Sequence, residues 1–282
     1  MLSYQHAYHA GGPADVIKHT LWAMVLAKMT EKDVPLHAYE THSGRGLYPV
    51  SAPETQKTPE YLAGLARLIS TQVMDSGNPY LAATRTLNPE GPLTIIPGSP
   101  AVARHVLRDV DHLYLAEAHP TELEHLRTNF PHAVRREANI HVQEGDGHKL
   151  ISTAVRASNR TAVLIDPSYE VKAEYLQVVD TVQAILTRAP NATVMVWYPL
   201  LTPKKHSQSL IDGLKGLGIS ATWLAQYSWN KPDAEGMYGT GQIILNLPYK
   251  IEGSLTTALK ALAPQLKQKS ADLTTTMLVP RQ

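Results

Sequence analysis

Short apolar runs that end in polar, glycine or proline residues alternate with helical patterns along most of this chain, and that alternation leaves few folds open. The runs are Leu36 to Thr41, Leu113 to Glu117, Ile140 to Gln143, Ala162 to Asp166 and Thr193 to Tyr198. Each has the length of a strand. Between them, Thr121 to Phe130, His148 to Ala157 and Ala173 to Arg188 repeat apolar residues at helical spacing. Strand and helix in strict alternation require crossover connections, so a doubly wound α/β architecture with a parallel sheet is expected. Ahead of the first run, Val16, Ile17, Leu21, Met24, Val25 and Leu26 follow the helix-start segment Gly12-Pro13, which predicts an amphipathic helix from Ala14 to about Met29.

The stretch from Leu47 to Leu93 departs from the alternation. Tyr61 to Val73 and Pro79 to Leu87 read as helices with no strand between them, so residues 47–93 are expected to form a helical insert subdomain. Residues 1–46 and 94–282 then make up the α/β domain with its N-terminal helical segment. Towards the C-terminus, Ala221 to Ser228 and Gln242 to Leu247 suit a closing antiparallel hairpin, and Ser254 to Lys267 is amphipathic.

Composition removes several chemistries. With no cysteine among 282 residues, thiol catalysis, thiolate-bound zinc and iron–sulfur clusters are excluded. Twenty-six Lys and Arg against 25 Asp and Glu give a net charge of +1, so a polyanionic partner would need a local basic patch. Thirteen histidines raise the question of a metal, but none are spaced as a metal-binding pair on one helix, and no metal is expected. Without a signal-like N-terminus or a membrane-length apolar segment, a soluble cytoplasmic protein is expected.

In an open parallel sheet, ligands bind beyond the carboxyl ends of the strands. After the first strand comes His42-Ser43-Gly44-Arg45-Gly46, the second ends in Glu117, the third in Gly145-Asp146-Gly147 and the fourth in Asp166-Pro167-Ser168-Tyr169. Gly44 and Gly46 allow close approach of a ligand to the backbone, although an ordinary turn explains them as well. Glu117 stands where a carboxylate can accept from both ribose hydroxyls, and equally where a solvated strand end would put one. Asp146-Gly147 fits an adenine amine, and also a simple helix cap. Their order on successive strands makes a nucleoside pocket, which suits S-adenosylmethionine; a nicotinamide cofactor is the alternative, against which the missing third glycine of a dinucleotide fingerprint argues.

The fourth segment resembles the (Asp/Asn/Ser)-Pro-Pro-(Tyr/Phe/Trp) motif of amino-methyltransferases, with Ser168 in place of the second proline. An adenine amine is a poor nucleophile because its lone pair is delocalised into the ring. Asp166 and the Pro167 carbonyl can accept its hydrogens and Asp166 its proton, while Tyr169 can stack on the base. Asp166, Pro167 and Tyr169 are therefore the candidate catalytic residues.

Beyond these segments, the chain is similar from end to end to the RlmJ family of 23S ribosomal RNA adenine-N6 methyltransferases. The matching residues are Met1-Leu2-Ser3-Tyr4, His6, His9-Ala10-Gly11, Ala14-Asp15-Val16, Lys18-His19-Thr20, Thr41-His42, Gly44, Gly46, Pro97-Gly98-Ser99-Pro100, Glu117, His119-Pro120, Asp146-Gly147, Trp197-Tyr198-Pro199, Gly241 and Asn246. The resemblance implies a Rossmann-like S-adenosylmethionine-dependent methyltransferase sheet with a small helical insert. It also implies a cofactor site that includes His19, His42, Gly44, Ser99, Glu117, Asp146, Gly147 and Asp166. Tyr4 would contact the RNA substrate, the partner would be protein-free 23S rRNA, and the enzyme a monomer; Tyr169, by its place in the motif, and Lys18, by position, are the other expected substrate contacts. From position, Lys18, Arg45, Lys204 and Lys205 are candidate RNA contacts. From the motif alone, an amino-methyltransferase acting on DNA or another planar amine is an alternative.

Overall fold

The computed structural model describes residues 5–71, 77–131, 139–202, 205–230, 236–266 and 271–282. In chain order, α1 (Pro13–Thr30) leads into β1 (Leu36–Glu40) and a short strand β2 (Leu47–Pro49). Three small helices follow, α2 (Pro53–Lys57), α3 (Leu65–Ser70) and α4 (Pro79–Leu87), then β3 (Ile95–Pro97) and α5 (Ser99–Val106). The expected alternation then runs β4 (His112–Glu117), α6 (Pro120–Asn129), β5 (Ile140–Glu144), α7 (Gly147–Ala154), β6 (Arg160–Ile165), α8 (Glu174–Arg188) and β7 (Thr193–Leu201). The chain closes with α9 (Lys205–Gly216), β8 (Thr222–Ser228), β9 (Met237–Leu245), α10 (Glu252–Leu266) and β10 (Asp272–Val279).

Eight strands form one sheet in the order β10-β8-β9-β7-β6-β1-β4-β5. From β5 to β7 neighbours run parallel, and β9, β8 and β10 add antiparallel pairs, so the expected closing hairpin is β8 against β9. β1 pairs with both β4 and β6: the chain leaves β1 for one side of the sheet and later returns to build the other. That reversal opens a crevice at the strands' carboxyl ends.

Side chains alternate across the sheet and build two cores. Ala162, Leu164 and Met195 pack with Trp22 and Leu26 of α1, whereas Val163, Ile165, Val194 and Val196 pack with Val178, Val182 and Ile185 of α8. Covered on both faces, these strands read as continuous apolar runs.

Three features differ from the sequence reading. Instead of presenting one apolar stripe, α1 is buried on nearly every side, because the sheet lies on one flank and α4, α5 and α10 on others; Asp15, Lys18, His19 and Thr20 are buried with it. A strand, β2, opens the 47–93 stretch and pairs antiparallel with β3, and Leu65, Leu68, Tyr80 and Leu81 join the same apolar cluster as α1. The edge strand β10 went unread because its residues Thr274, Thr275 and Thr276 are polar, although threonine favours strands. Among the described residues, no helix is long and apolar enough to cross a membrane.

Leu164 is 1% exposed at the centre of the sheet. Leu164→Ala is expected to cost about 2–5 kcal/mol, read as a lower urea midpoint with an unchanged denaturant slope.

Candidate active site

Burying Asp15 and Lys18 on α1 obliges the fold to supply partners. Lys18 Nζ lies 2.9 Å from Asp15 Oδ1 and donates to Asp166 Oδ2 at 2.6 Å; Lys18 is 3% and Asp166 13% exposed. Asp166 is the first residue after β6, so the contact ties α1 to the sheet. Burial alone would lower the Lys18 pKa, but the two carboxylates raise it above its ordinary value. Asp15 also accepts from His6 Nε2 at 2.8 Å and from the Gly11 N–H at 2.9 Å. Against the upward push of burial, His6, Lys18 and His19 hold its carboxyl well below the usual range. His19, one residue on from Lys18, is pushed down to about 3 by burial, and its buried Nδ1 has no hydrogen-bond partner.

These groups face a cleft of about 810 Å³ at the carboxyl ends of β1, β4, β5, β6 and β7. Glu117 ends β4, is 8% exposed, and holds two loops with its two oxygens: Oε2 accepts from the Gly44 N–H at 2.7 Å and Oε1 from the His119 N–H at 2.8 Å. Burial raises its pKa. Asp146 caps α7 by accepting from the His148 N–H at 2.9 Å. At Gly147 a Cβ would lie 1.8 Å from the Thr41 carbonyl oxygen, so only glycine lets α7 start against the end of β1. Glu40, fully buried, accepts from Trp22 Nε1 at 3.1 Å and from Ser99 Oγ at 2.7 Å, and burial pushes it up to about 8.

Of the residues singled out from sequence, the cleft brings together Lys18, His19, His42, Gly44, Ser99, Glu117, Asp146, Gly147, Asp166 and Pro167, with Ser168 beside them. Tyr4, Lys204 and the Lys205 side chain lie outside the described residues. Ser99 does not cap α5; Gly98 holds that position, and the Ser99 hydroxyl serves Glu40.

The structure corrects three roles. Tyr169 does not face the cleft: it is 6% exposed, its hydroxyl donates to the Trp197 carbonyl at 2.7 Å, and its ring lies 4.3 Å from that of Tyr175. Its φ of +55° turns the side chain inward, a conformation costly enough that packing must hold it. Arg45 is 4% exposed and forked onto Glu122 at 3.0 and 2.6 Å, which makes it an internal brace rather than an RNA contact. Lys18, committed to two carboxylates, is likewise no free surface cation.

Sequence reasoning assigned no role to Trp197 or Glu40. Trp197, the middle residue of β7 and the first beyond its parallel register with β6, lines the cleft, with the Lys18 ammonium 5.7 Å from its ring centre. Its place near the end of the apolar run Thr193 to Tyr198 was the available signal. Glu40 ends β1, but nothing local showed that Trp22 and Ser99 would converge on it.

Comparison with known proteins agrees over nearly the whole chain. A family model described as "Ribosomal RNA large subunit methyltransferase D, RlmJ" matches residues 33–279. Ribosomal RNA large subunit methyltransferase J of Escherichia coli strain K12 is 32% identical over 269 residues, 94% of this chain and 94% of that protein. The protein of the same name from Haemophilus influenzae is 32% identical over 271 residues, 94% of this chain and 93% of its own length. A crystal structure of a Legionella pneumophila protein superposes with a TM-score of 0.86 at 30% identity, covering 95% of this chain and 98% of that one.

Tyr169→Phe keeps the ring and removes the bond to the Trp197 carbonyl, so it should lower unfolding free energy by about 1–3 kcal/mol, measured by urea denaturation. His19 carries a pH signature. It stays neutral in the fold down to about 3 and takes a proton from its ordinary value of 6.5 downward once unfolded, so its contribution to stability is lost as pH falls below that value. Between about pH 4 and 6, wild type should lose stability more steeply than His19→Gln, by up to about 1.4 kcal/mol per pH unit.

Proposed function

Because this chain belongs to the ribosomal RNA large subunit methyltransferase family RlmJ, we propose that it transfers the methyl group of S-adenosylmethionine to the N6 amine of an adenine in 23S ribosomal RNA. The observation that carries the chemistry is the placement of Asp166 and Pro167 at the end of β6, in one cleft with Glu117 and Asp146-Gly147.

The residues present fit the cofactor. The cleft is of the size that small-molecule sites occupy. His19 Nδ1 and His119 Nδ1 are buried polar atoms without partners, on residues that line it. Glu117 would hold the ribose hydroxyls, Asp146 and the Gly147 main chain the adenine, and His19, His42, Gly44 and Ser99 the remainder. When bound, the cofactor supplies a methyl group on a positively charged sulfur.

The protein's own part is to prepare the amine. Lys18 engages Asp166 Oδ2, which fixes the carboxylate's orientation and leaves Oδ1 for an N6 hydrogen. The Pro167 carbonyl takes the second hydrogen, and the two acceptors draw the nitrogen towards tetrahedral geometry. Asp166 then receives the proton that the methylated amine gives up. Ser168 lacks a proline ring, but neither acceptor depends on one. With Tyr169 turned inward, the base-stacking surface passes to Trp197, which lines the cleft beside Lys18. Most of the rate comes from alignment of donor and acceptor.

Adenines in loops or single strands are the expected targets, because an amine in a stacked A-form helix is out of reach until its base is flipped. We place residues 1–46 and 94–282 in the methyltransferase domain and 47–93 in a helical insert, with Glu60 and Ala63 of the insert on the cleft wall. Tyr4 is assigned to substrate by family resemblance, and the active unit is a cytoplasmic monomer acting on protein-free rRNA.

Transfer from radiolabelled S-adenosylmethionine to protein-free 23S rRNA and to duplex DNA tests this reading. Wild type should label the rRNA alone, and Asp166→Ala should lower the rate by about 10²–10⁴-fold. Equal labelling of DNA and RNA would overturn the substrate assignment.

A further inference from the structure

Three residues far apart in sequence converge at the wall of the cleft, beside the loop that carries Asp166. His42 follows β1, His148 lies in the first turn of α7 and Glu174 opens α8, and one ligand atom from each lies within 4.8 Å of the other two. His148 is 6% exposed, and its Nε2 is buried without a hydrogen-bond partner; Glu174 Oε2 is buried and unpartnered as well.

A threonine hydroxyl lies beside the Nδ1 of each imidazole. Thr181 Oγ1 donates its hydrogen to the Gln177 carbonyl at 2.7 Å, so toward His148 Nδ1, 2.9 Å away, it can only accept. Thr41 Oγ1 lies 2.8 Å from His42 Nδ1, near enough to accept from it. With Nδ1 donating to each threonine, both imidazoles keep the Nε2 lone pair for a ligand. A carboxylate oxygen is also an acceptor. In that tautomer three acceptors meet, an arrangement that a cation satisfies.

We propose that His42, His148 and Glu174 bind one divalent transition-metal ion, Zn²⁺ by ligand class. Two imidazole nitrogens and one carboxylate oxygen, with a fourth position open, suit zinc. Its tetrahedral ligand edges of about 3.4 Å are within reach of small side-chain rotations from the observed spacing. Thr41 and Thr181 orient the imidazoles as outer-shell groups do in metal sites. Glu174 also accepts from the Tyr169 backbone N–H, so the ion would brace the Asp166–Tyr169 loop against β1 and α7. It takes a ring nitrogen of His42 and leaves that residue's main chain for a cofactor. The site does not depend on the transferase reading. Histidine spacing along the chain could not show it, since each ligand comes from a different segment.

The test titrates the metal-free full-length protein with Zn²⁺ by calorimetry and with Co²⁺ by visible absorption. Wild type should bind one ion per chain, show Co²⁺ ligand-field bands and gain thermal stability with Zn²⁺. Glu174→Gln and His148→Gln should lose the site, and Thr181→Val should weaken it by about 10–100-fold. Glu174 is only half-buried, so its variant keeps the test open if His148→Gln fails to fold. Failure of wild type to bind stoichiometrically, or binding and stabilisation undiminished in Glu174→Gln and Thr181→Val, would overturn the proposal.

Discussion

The structure depends on one buried ammonium group. Lys18 sits between the carboxylates of Asp15 and Asp166, and 148 residues of chain separate it from the second. Charges taken out of water are expensive, and removing one partner leaves the others uncompensated, so the cluster tolerates few alternative arrangements. It fixes α1 against the end of β6 and orients the carboxylate on which the proposed chemistry turns. Because Asp15 also draws in His6 and Gly11, the segment before α1 is held over the cleft by the same charges.

Around this centre the cleft is built as much from backbone as from side chains. Glu117 spends both oxygens on main-chain N–H groups, and Asp146 spends one on capping α7. The close approach of Gly147 to Thr41 brings the start of α7 against the end of β1. Asp146 is thus both a helix cap and a cleft residue, and the two readings that compete in the sequence describe one geometry. The sheet's reversal at β1 puts these loops side by side, and its two packed faces keep them there.

The central strands were legible because they are buried on both faces and show as unbroken apolar runs, as Ala162 to Ile165 does. The site residues were legible because ligands gather at the ends of such strands. What was hidden depends on contacts across the chain or on single backbone torsions. Tyr169 occupies the aromatic position of its motif, yet its positive φ turns it into the core, which no local pattern reveals. Arg45 looks like a surface cation until Glu122, 77 residues on, takes its Nε and one terminal nitrogen. The Thr-rich edge strand β10 lacks apolar periodicity because it needs only half a face of burial.

The central claim is that Asp166, held by Lys18, serves methylation of an adenine amine in 23S rRNA. Its most direct test is mapping N6-methyladenosine in 23S rRNA from cells that lack this gene, complemented with wild type or with Asp166→Ala. The account predicts that one methyl mark disappears on deletion, returns with wild type and does not return with the variant. A complete set of marks in the deletion strain, or restoration by Asp166→Ala, would contradict it.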